Sequence, residues 1–386
     1  MLFNTFVGSL EDLDRCARVA NLGEVLLEPF LLARQGKLTE PEAFFLAEEA
    51  KKRGLRPVLV WDILMTEGVM MQIVDRLCYW DLLNFAAIRV CDPGAAEWLM
   101  VHYPQLPIQL IVETGNHNFE ALIGWCQLFA GCLERLILST EIPENKLIEY
   151  CQKLPVPCEV LGVGRILLFY SPRSLLAEHI SEENNQGFIE VKAMAEENGD
   201  RPLPAVETHQ GTFLFLDKDW FILDQLEGLE KAGLHSLRLD LRHFGKNGNL
   251  APDIDQICEQ IFTDPVTLKK NWQTEARSPF FKANRTTSIF SRMKSKSKIS
   301  HYRNDSCVAE VLGGESGKYI VFQVLRPFDI SEINQVVIPT GEKVDIPETV
   351  TFKNLQGDPI KKGDRDQIII TDWIKKVTPG SLILRN

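Results

Sequence analysis

The sequence predicts an α/β protein: a (β/α)8, TIM-like barrel followed by a small C-terminal all-β, barrel-like domain. Three observations predict it. Up to residue 242, eight short apolar runs alternate with longer amphipathic stretches, the pattern of repeated βα units around a parallel sheet. From Cys307 onward the apolar runs shorten, alternate with polar residues and are separated by Gly, Pro, Asp and Asn. Between the two regions lies a polar, basic stretch too short to build a core of its own.

The strand candidates, in order, are LFNTFVG at 2–8, EVLLEP at 24–29, RPVLVWD at 56–62, FAAIRVC at 85–91, IQLIVE at 108–113, LERLILS at 133–139, CEVLGVG at 158–164 and SLRLDLR at 236–242. Helical spacing fills the intervals. After the first strand, Leu10, Leu13, Ala17 and Ala20 share one face behind a Ser9 cap, and Asp12 stands where a capping box has its acid. The polar, acidic stretch 175–204 reads as a long excursion between strands seven and eight. GTFLFLDKDWFILDQLEGLEKAG then adds a hairpin-like segment and the final barrel helix. A helical pattern continues through IDQICEQIF, so the barrel is placed at 1–263, a basic linker or arm at 264–304 and the β domain at 305–386. In that last part CVAEVLGG, YIVFQVL, QVVIP, ETVTFKN, DQIIITDW and SLILRN are the strand candidates.

Composition is that of an ordinary soluble protein: 386 residues, 45% apolar and 25% charged, enough for one large and one smaller domain. There is no run of 18 apolar residues, and MLFNTFVGSLEDL has no basic region before an apolar stretch. Neither a membrane span nor a signal peptide is expected, and the expected location is cytoplasmic. Nine scattered cysteines without a C-x-x-C point to a reducing compartment and to thiols serving as small hydrophobes. The net charge of -11 argues against a surface that coats nucleic acid as a whole. The segment 269–303 is the exception, with Lys269, Lys270, Arg277, Lys282, Arg285, Arg292, Lys294, Lys296, Lys298 and Arg303 against Glu275 alone. It reads either as a solvated linker or as an RNA-facing strap.

The stretch from Cys158 to Ala193, CEVLGVGRILLFYSPRSLLAEHISEENNQGFIEVKA, resembles the segment in which the peptidase U32 family carries four clustered cysteines. In that family the run is E-V-x-x-H-G-A-x-C-x-x-Y-S-G-R-C-x-x-S followed by N-x-G-x-C-x-x-x-C, and here Tyr170, Ser171, Arg173, Asn185 and Gly187 keep the frame. The four cysteine positions hold Leu167, Ser174, Ile189 and Ala193, and Val163 replaces the His before Gly164. Further similarities run along the chain: VWD at 60–62, RVCDPGA at 89–95, ETGNHN at 113–118, LSTE at 138–141, PAVETHQGTFLFLDKD at 204–219, SLRLDLR at 236–242, FFKANRT at 280–286 and the terminal LILRN. EVL at 310–312 and RPF at 326–328 resemble the family's C-terminal β domain. The resemblance implies a barrel with its active face at the carboxyl ends of the strands. It also implies kinship with RNA and ubiquinone hydroxylation factors, which use a four-cysteine [4Fe-4S] cluster. A cluster needs thiolate ligands, which Leu, Ile and Ala lack and for which Ser is a poor substitute. This member is therefore expected to have lost the iron-sulfur site and to carry no cofactor and no metal.

Charged residues at or near strand ends remain as site candidates. Asp62, Glu141 and Glu207, with His117, are the candidates for acid/base chemistry; Glu28, Arg89, Glu113, Glu159 and Arg242 are candidates for holding a substrate. The same residues could instead satisfy one another as structural ion pairs. In Glu113-Thr114-Gly115-Asn116-His117-Asn118, a turn with Asn118 capping the next helix competes with a role for His117 near neutral pH. No H-E-x-x-H, G-x-S-x-G or D-T-G is present, and Ser171 or Ser174 with His179 makes a poor nucleophile pair.

Two function classes follow. The first is an accessory, non-catalytic protein that binds RNA, either tRNA or rRNA, or a partner protein. Its RNA-binding candidates are Lys282, Arg285, Arg292, Lys294, Lys296 and Lys298. The second is a cofactor-independent hydrolase of the peptidase type acting through carboxylates at the barrel mouth. A third arrangement, with Cys151 and Cys158 or Cys126 and Cys132 binding metal, has no diagnostic spacing.

Overall fold

The computed structural model describes residues 1–177, 187–195, 198–244, 253–282 and 304–385. Two compact units divide the chain, Met1–Asn284 and Arg285–Asn386. Among the described residues, no helix is long and apolar enough to cross a membrane.

The first unit begins with seven βα repeats' worth of strands: β1 (Leu2–Phe6), β2 (Leu22–Leu27), β3 (Arg56–Trp61), β4 (Ala87–Val90), β5 (Ile108–Ile111), β6 (Leu133–Ile137) and β7 (Cys158–Ser171). Helices α1 (Leu10–Cys16), α2 (Glu40–Lys52), α3 (Glu67–Leu77), α4 (Pro93–His102), α5 (Phe119–Leu128) and α6 (Glu144–Lys153) connect them. After β7 come β8 (Ile189–Ala195), β9 (Asn198–Thr208), β10 (Gly211–Phe221), α7 (Glu227–Lys231), β11 (Ser236–Leu239), α8 (Ile254–Thr263) and α9 (Pro265–Lys270). Strands β1 to β7 pair in parallel in chain order, and β11 pairs in parallel with both β1 and β7, so the barrel closes.

Side-chain alternation divides each strand between two layers. Val25, Leu27, Leu59 and Trp61 join the large core beneath the helices, whereas Leu26, Val58, Val60 and Ala87 pack with Phe6 and Ala33 in a separate inward cluster. Helix starts follow the local chemistry. The Ser9 hydroxyl accepts from the Asp12 N–H at 3.2 Å, and Thr39 and Glu42 form a reciprocal capping box before α2.

All eight barrel strands lie within a few residues of their sequence-derived positions. The main difference lies in strand seven, which does not stop at the rim. It continues to Ser171 and pairs antiparallel with β10, which pairs with β9 and that with β8. The stretch read as a polar excursion thus contains two strands of an antiparallel sheet extending from the barrel. Residues beyond 263 also continue to pack on the first unit. Ala276–Arg277 pairs with β10, and Phe281 is fully buried beside Trp220 in the barrel core.

In the second unit, seven strands form an antiparallel half-barrel sheet in the order Lys343–Asp345, Ile333–Val337, Leu382–Arg385, Cys307–Glu315, Tyr319–Val324, Ile368–Asp372, Phe352–Lys353. Alternate residues such as Val311, Phe322, Val324, Ile369 and Ile383 form its core.

Candidate functional site

Polar residues interrupt the apolar strands at inward positions, and inside the barrel they meet. Arg89 on β4 grips Glu159 on β7 with two hydrogen bonds of 2.8 and 2.7 Å, and its other face reaches Gln109 on β5. Arg135 on β6 bridges Glu24 at 2.7 Å and Glu159 at 3.0 Å, while Asn4 donates to Glu159 at 2.7 Å. Arg238 on β11 links Glu159 to Glu113, which stands just beyond β5. Burial alone would raise the Glu159 carboxyl; Arg89, Arg238 and Arg135 outweigh it and hold the group at about 2. Three guanidinium groups thus face the carboxylates of Glu24, Glu159 and Glu113. Arg89 and Glu159 are fully buried in this network, below the mouth rather than on its surface.

At the carboxyl ends of the strands, Arg242 lies between Glu28, after β2, and Asp240, after β11. Its Nη1 donates to both Glu28 oxygens at 2.7 and 2.8 Å, its Nη2 contacts Asp240 at 2.6 Å, and its guanidinium lies 3.6 Å from the centre of the Phe6 ring. Burial pushes the Glu28 carboxyl up to about 7, against the pull of Arg242 and with the added push of Asp62 and Asp240. Burial also works against ionising Asp240, but Arg242 outweighs it and holds that carboxyl below the ordinary range. Asp62, after β3, accepts from the backbone and side chain of Arg34 at 2.7 and 3.0 Å. Glu28, Asp240 and Arg242 border a cavity of about 450 Å³ whose walls also include Phe6, Phe188, Phe215 and His243.

Glu207, on β9, accepts from the backbone N–H groups of Leu175, Leu176 and Ala177 and from the Thr212 hydroxyl. Burial would raise its carboxyl; the four donors lower it. Its work is to fasten the chain that follows β7. Among the four positions where the U32 pattern has cysteine, Leu167 on β7 is half-exposed opposite Phe215, and Ser174 is exposed beside the Glu207-held loop. Ile189 is buried opposite Glu207 and Ala193 lies four residues further along β8. Strands β10 and β9 separate β7 from β8.

The polar turn after β5 acts on its own helix. Asn118 caps α5 through the Ala121 N–H at 2.9 Å, and Asn116 accepts from the Trp125 indole at 2.8 Å. His117 and Glu141 approach to 3.9 Å at the surface. Lys282 pairs with Glu144 at 2.6 Å, and Arg285, Arg292, Lys294, Lys296 and Lys298 lie outside the described residues. Cys151 and Cys158 are free thiols, and the Cys158 thiol donates to the Val156 carbonyl oxygen at 3.9 Å. Among the described residues, no group of three or more His, Cys, Asp or Glu side chains could hold a metal ion.

Sequence reading did not single out one further arrangement. Asp219 on β10 accepts from His243 Nε2 at 3.0 Å, from the Trp272 indole at 2.9 Å and from the Thr274 hydroxyl, all on its Oδ2. Burial works against the charge on Asp219, but the three hydrogen bonds hold its carboxyl below the ordinary range. The partners are 24 to 55 residues apart, and no local motif announces them. Arg34, Asp240 and Arg135 were likewise passed over. For Arg135 a signal existed, since it is a charged residue at an inward position of an apolar strand.

The model of Peptidase family U32 matches residues 33–278, more than half of the chain. Among curated proteins, tRNA hydroxylation protein P of Escherichia coli (strain K12) is 26% identical over 203 residues, covering 40% of this chain and 44% of that protein. tRNA hydroxylation protein P2 of Bacillus subtilis (strain 168) is 22% identical over 211 residues, covering 53% and 67%. The chain therefore spans less than half the length of the E. coli relative it matches. The solved structure of the U32 peptidase Mk0906 aligns with a TM-score of 0.36 and 14% identity, covering 48% of this chain and 82% of that one.

Proposed function

The chain belongs to peptidase family U32, and from that premise we propose that it is a member without the family's [4Fe-4S] site, serving as a non-catalytic, accessory binder of RNA. The donor set carries this reading. Leu167, Ile189 and Ala193 have no atom able to ligate iron, and Ser174 offers one exposed hydroxyl. Four thiolates are what the cluster requires, so the residues present do not fit it. RNA is favoured as the ligand because the matched curated relatives are tRNA hydroxylation proteins and because the segment 269–303 concentrates Lys and Arg in an otherwise acidic chain. In this reading the basic segment holds the phosphate backbone and the barrel mouth receives a base.

Asp62 and Glu207 spend their oxygens on Arg34 and on loop amides, which favours recognition over carboxylate-driven hydrolysis. Two measurements on the full chain test the proposal: iron per chain after oxygen-free purification, and binding of unmodified tRNA. The expected results are iron far below one cluster per chain together with salt-sensitive tRNA binding. A brown, iron-loaded protein, or one that ignores tRNA at low salt, refutes it.

A further inference from the structure

Resting on that reading for the nature of its ligand, the geometry points to His243 as the group in the barrel mouth that hydrogen-bonds the edge of a nucleobase, with Asp219 as its positioning residue. An ionised carboxylate can only accept hydrogen bonds, so the proton between the two residues belongs to His243 Nε2. Trp272 and Thr274 donate to the same Asp219 oxygen and fix the carboxylate from two further directions. The imidazole is thereby held in one orientation, with Nε2 turned to Asp219 and Nδ1 as its other polar atom.

Nδ1 makes no hydrogen bond among the described residues, although the ring is only 8% exposed and lines the 450 Å³ cavity. Asp219 is absent from the cavity wall, so the ring turns Nε2 away from the cavity and offers Nδ1 as its remaining polar atom. A ring nitrogen that faces a cavity offers a polar contact there, and the polar edge of a planar base can meet it. Aromatic rings line the same cavity. Phe6 lies beneath the Arg242 guanidinium, Phe188 beneath the Lys37 ammonium, and Phe244 packs against the His243 ring with centroids 4.0 Å apart.

Two substitutions separate ligand contact from a purely architectural role. In H243Q the amide can still reach Asp219 while nothing replaces Nδ1; in H243N the amide takes the place of Nδ1 and the link to Asp219 is lost. Binding of unmodified tRNA and of the four nucleoside 5′-monophosphates is measured for each, beside the unfolding temperature. H243Q is expected to bind both probes about tenfold more weakly with its unfolding temperature kept. H243N is expected to bind within about twofold of the parent while unfolding at a lower temperature. Unchanged binding by H243Q, or equal losses in both variants, overturns the assignment. Loss of tRNA binding alone, with His243-dependent mononucleotide binding retained, would remove the accessory-RNA reading and leave this one standing. If the parent protein binds tRNA but no mononucleotide, the reverse holds; if it binds neither, both fall.

Discussion

Glu28 is the residue whose environment most sharply contradicts its ordinary chemistry. Three carboxylates, Glu28, Asp62 and Asp240, share the mouth with two guanidinium groups, Arg34 and Arg242, so one negative charge is in excess. Burial makes Glu28 the group that takes up a proton to relieve that excess, its pKa raised from 4.5 to about 7. Between these values the folded state binds a proton that the unfolded state has released, so stability falls as pH rises from 4.5 to 7 and levels off above. The size of the drop is on the order of 3 kcal/mol. Asp240 contributes with the opposite sign, its stabilisation being lost only on acidification below the ordinary aspartate range. Urea unfolding of E28Q at pH 5 and pH 8 is therefore expected to show a much smaller difference than the parent; equal differences would assign the titration elsewhere. Arg89 makes a second case. In R89M the buried Glu159 loses its two-pronged partner, and a loss of about 3–5 kcal/mol is expected because a buried charge is left undercompensated. A variant as stable as the parent in the same assay would show that Arg135 and Arg238 suffice. Of these residues the sequence revealed the charges but not their company. Arg89 and Glu159 could be placed near strand ends, yet which of them lay inside the barrel depended on inward or outward register, and Asp219 and His243 looked ordinary where they stand.

The eight barrel strands were legible as elements because both faces of a parallel barrel strand are buried, leaving continuous apolar runs bounded by turn residues. The extension of β7 was not, because its second half, Ile166–Ser171, is largely exposed and finds its strand partner only when β10 returns alongside it. Gly211 is where this return is decided. Its φ of +126° lies outside the range of ordinary residues, and a Cβ there would stand 2.1 Å from the Ser171 carbonyl oxygen. G211A should therefore cost more than about 1 kcal/mol and loosen the β7–β10 pairing without opening the barrel. Amide hydrogen exchange checks this: faster exchange is expected at Tyr170, Phe213 and Phe215, with Leu59 and Leu136 protected as in the parent. Uniform acceleration across both groups would mean that the hairpin and the barrel unfold as one element. The outcome also bears on Glu207, which pairs in register with Thr212 and holds the loop at 175–177, so a displaced β10 would release that loop as well.

For the molecule as a whole, charge is distributed against its average. A net charge of -11 repels a polyanion at long range, so any RNA affinity must come from local concentration, and the segment 269–303 has ten basic residues against one acidic. Part of that segment is already committed: Lys269 pairs with Asp224, Arg277 with Glu275 and Lys282 with Glu144. Removing these would disturb the barrel's own ion pairs, which makes Lys294, Lys296 and Lys298 the cleaner probe of an RNA-facing strap. Each phosphate neutralised releases condensed cations, contributing about 0.7 to 0.9 to the slope of log affinity against log salt. Replacing all three lysines by Ala should then reduce the magnitude of the tRNA slope by about 2 and weaken binding most at low salt. Mononucleotide binding at the mouth should be left as it was, because a free base brings no run of phosphates for the segment to hold. A triple variant whose tRNA slope matches the parent's would place the phosphate contacts elsewhere on the chain and reduce this segment to a solvated connection between the two compact units.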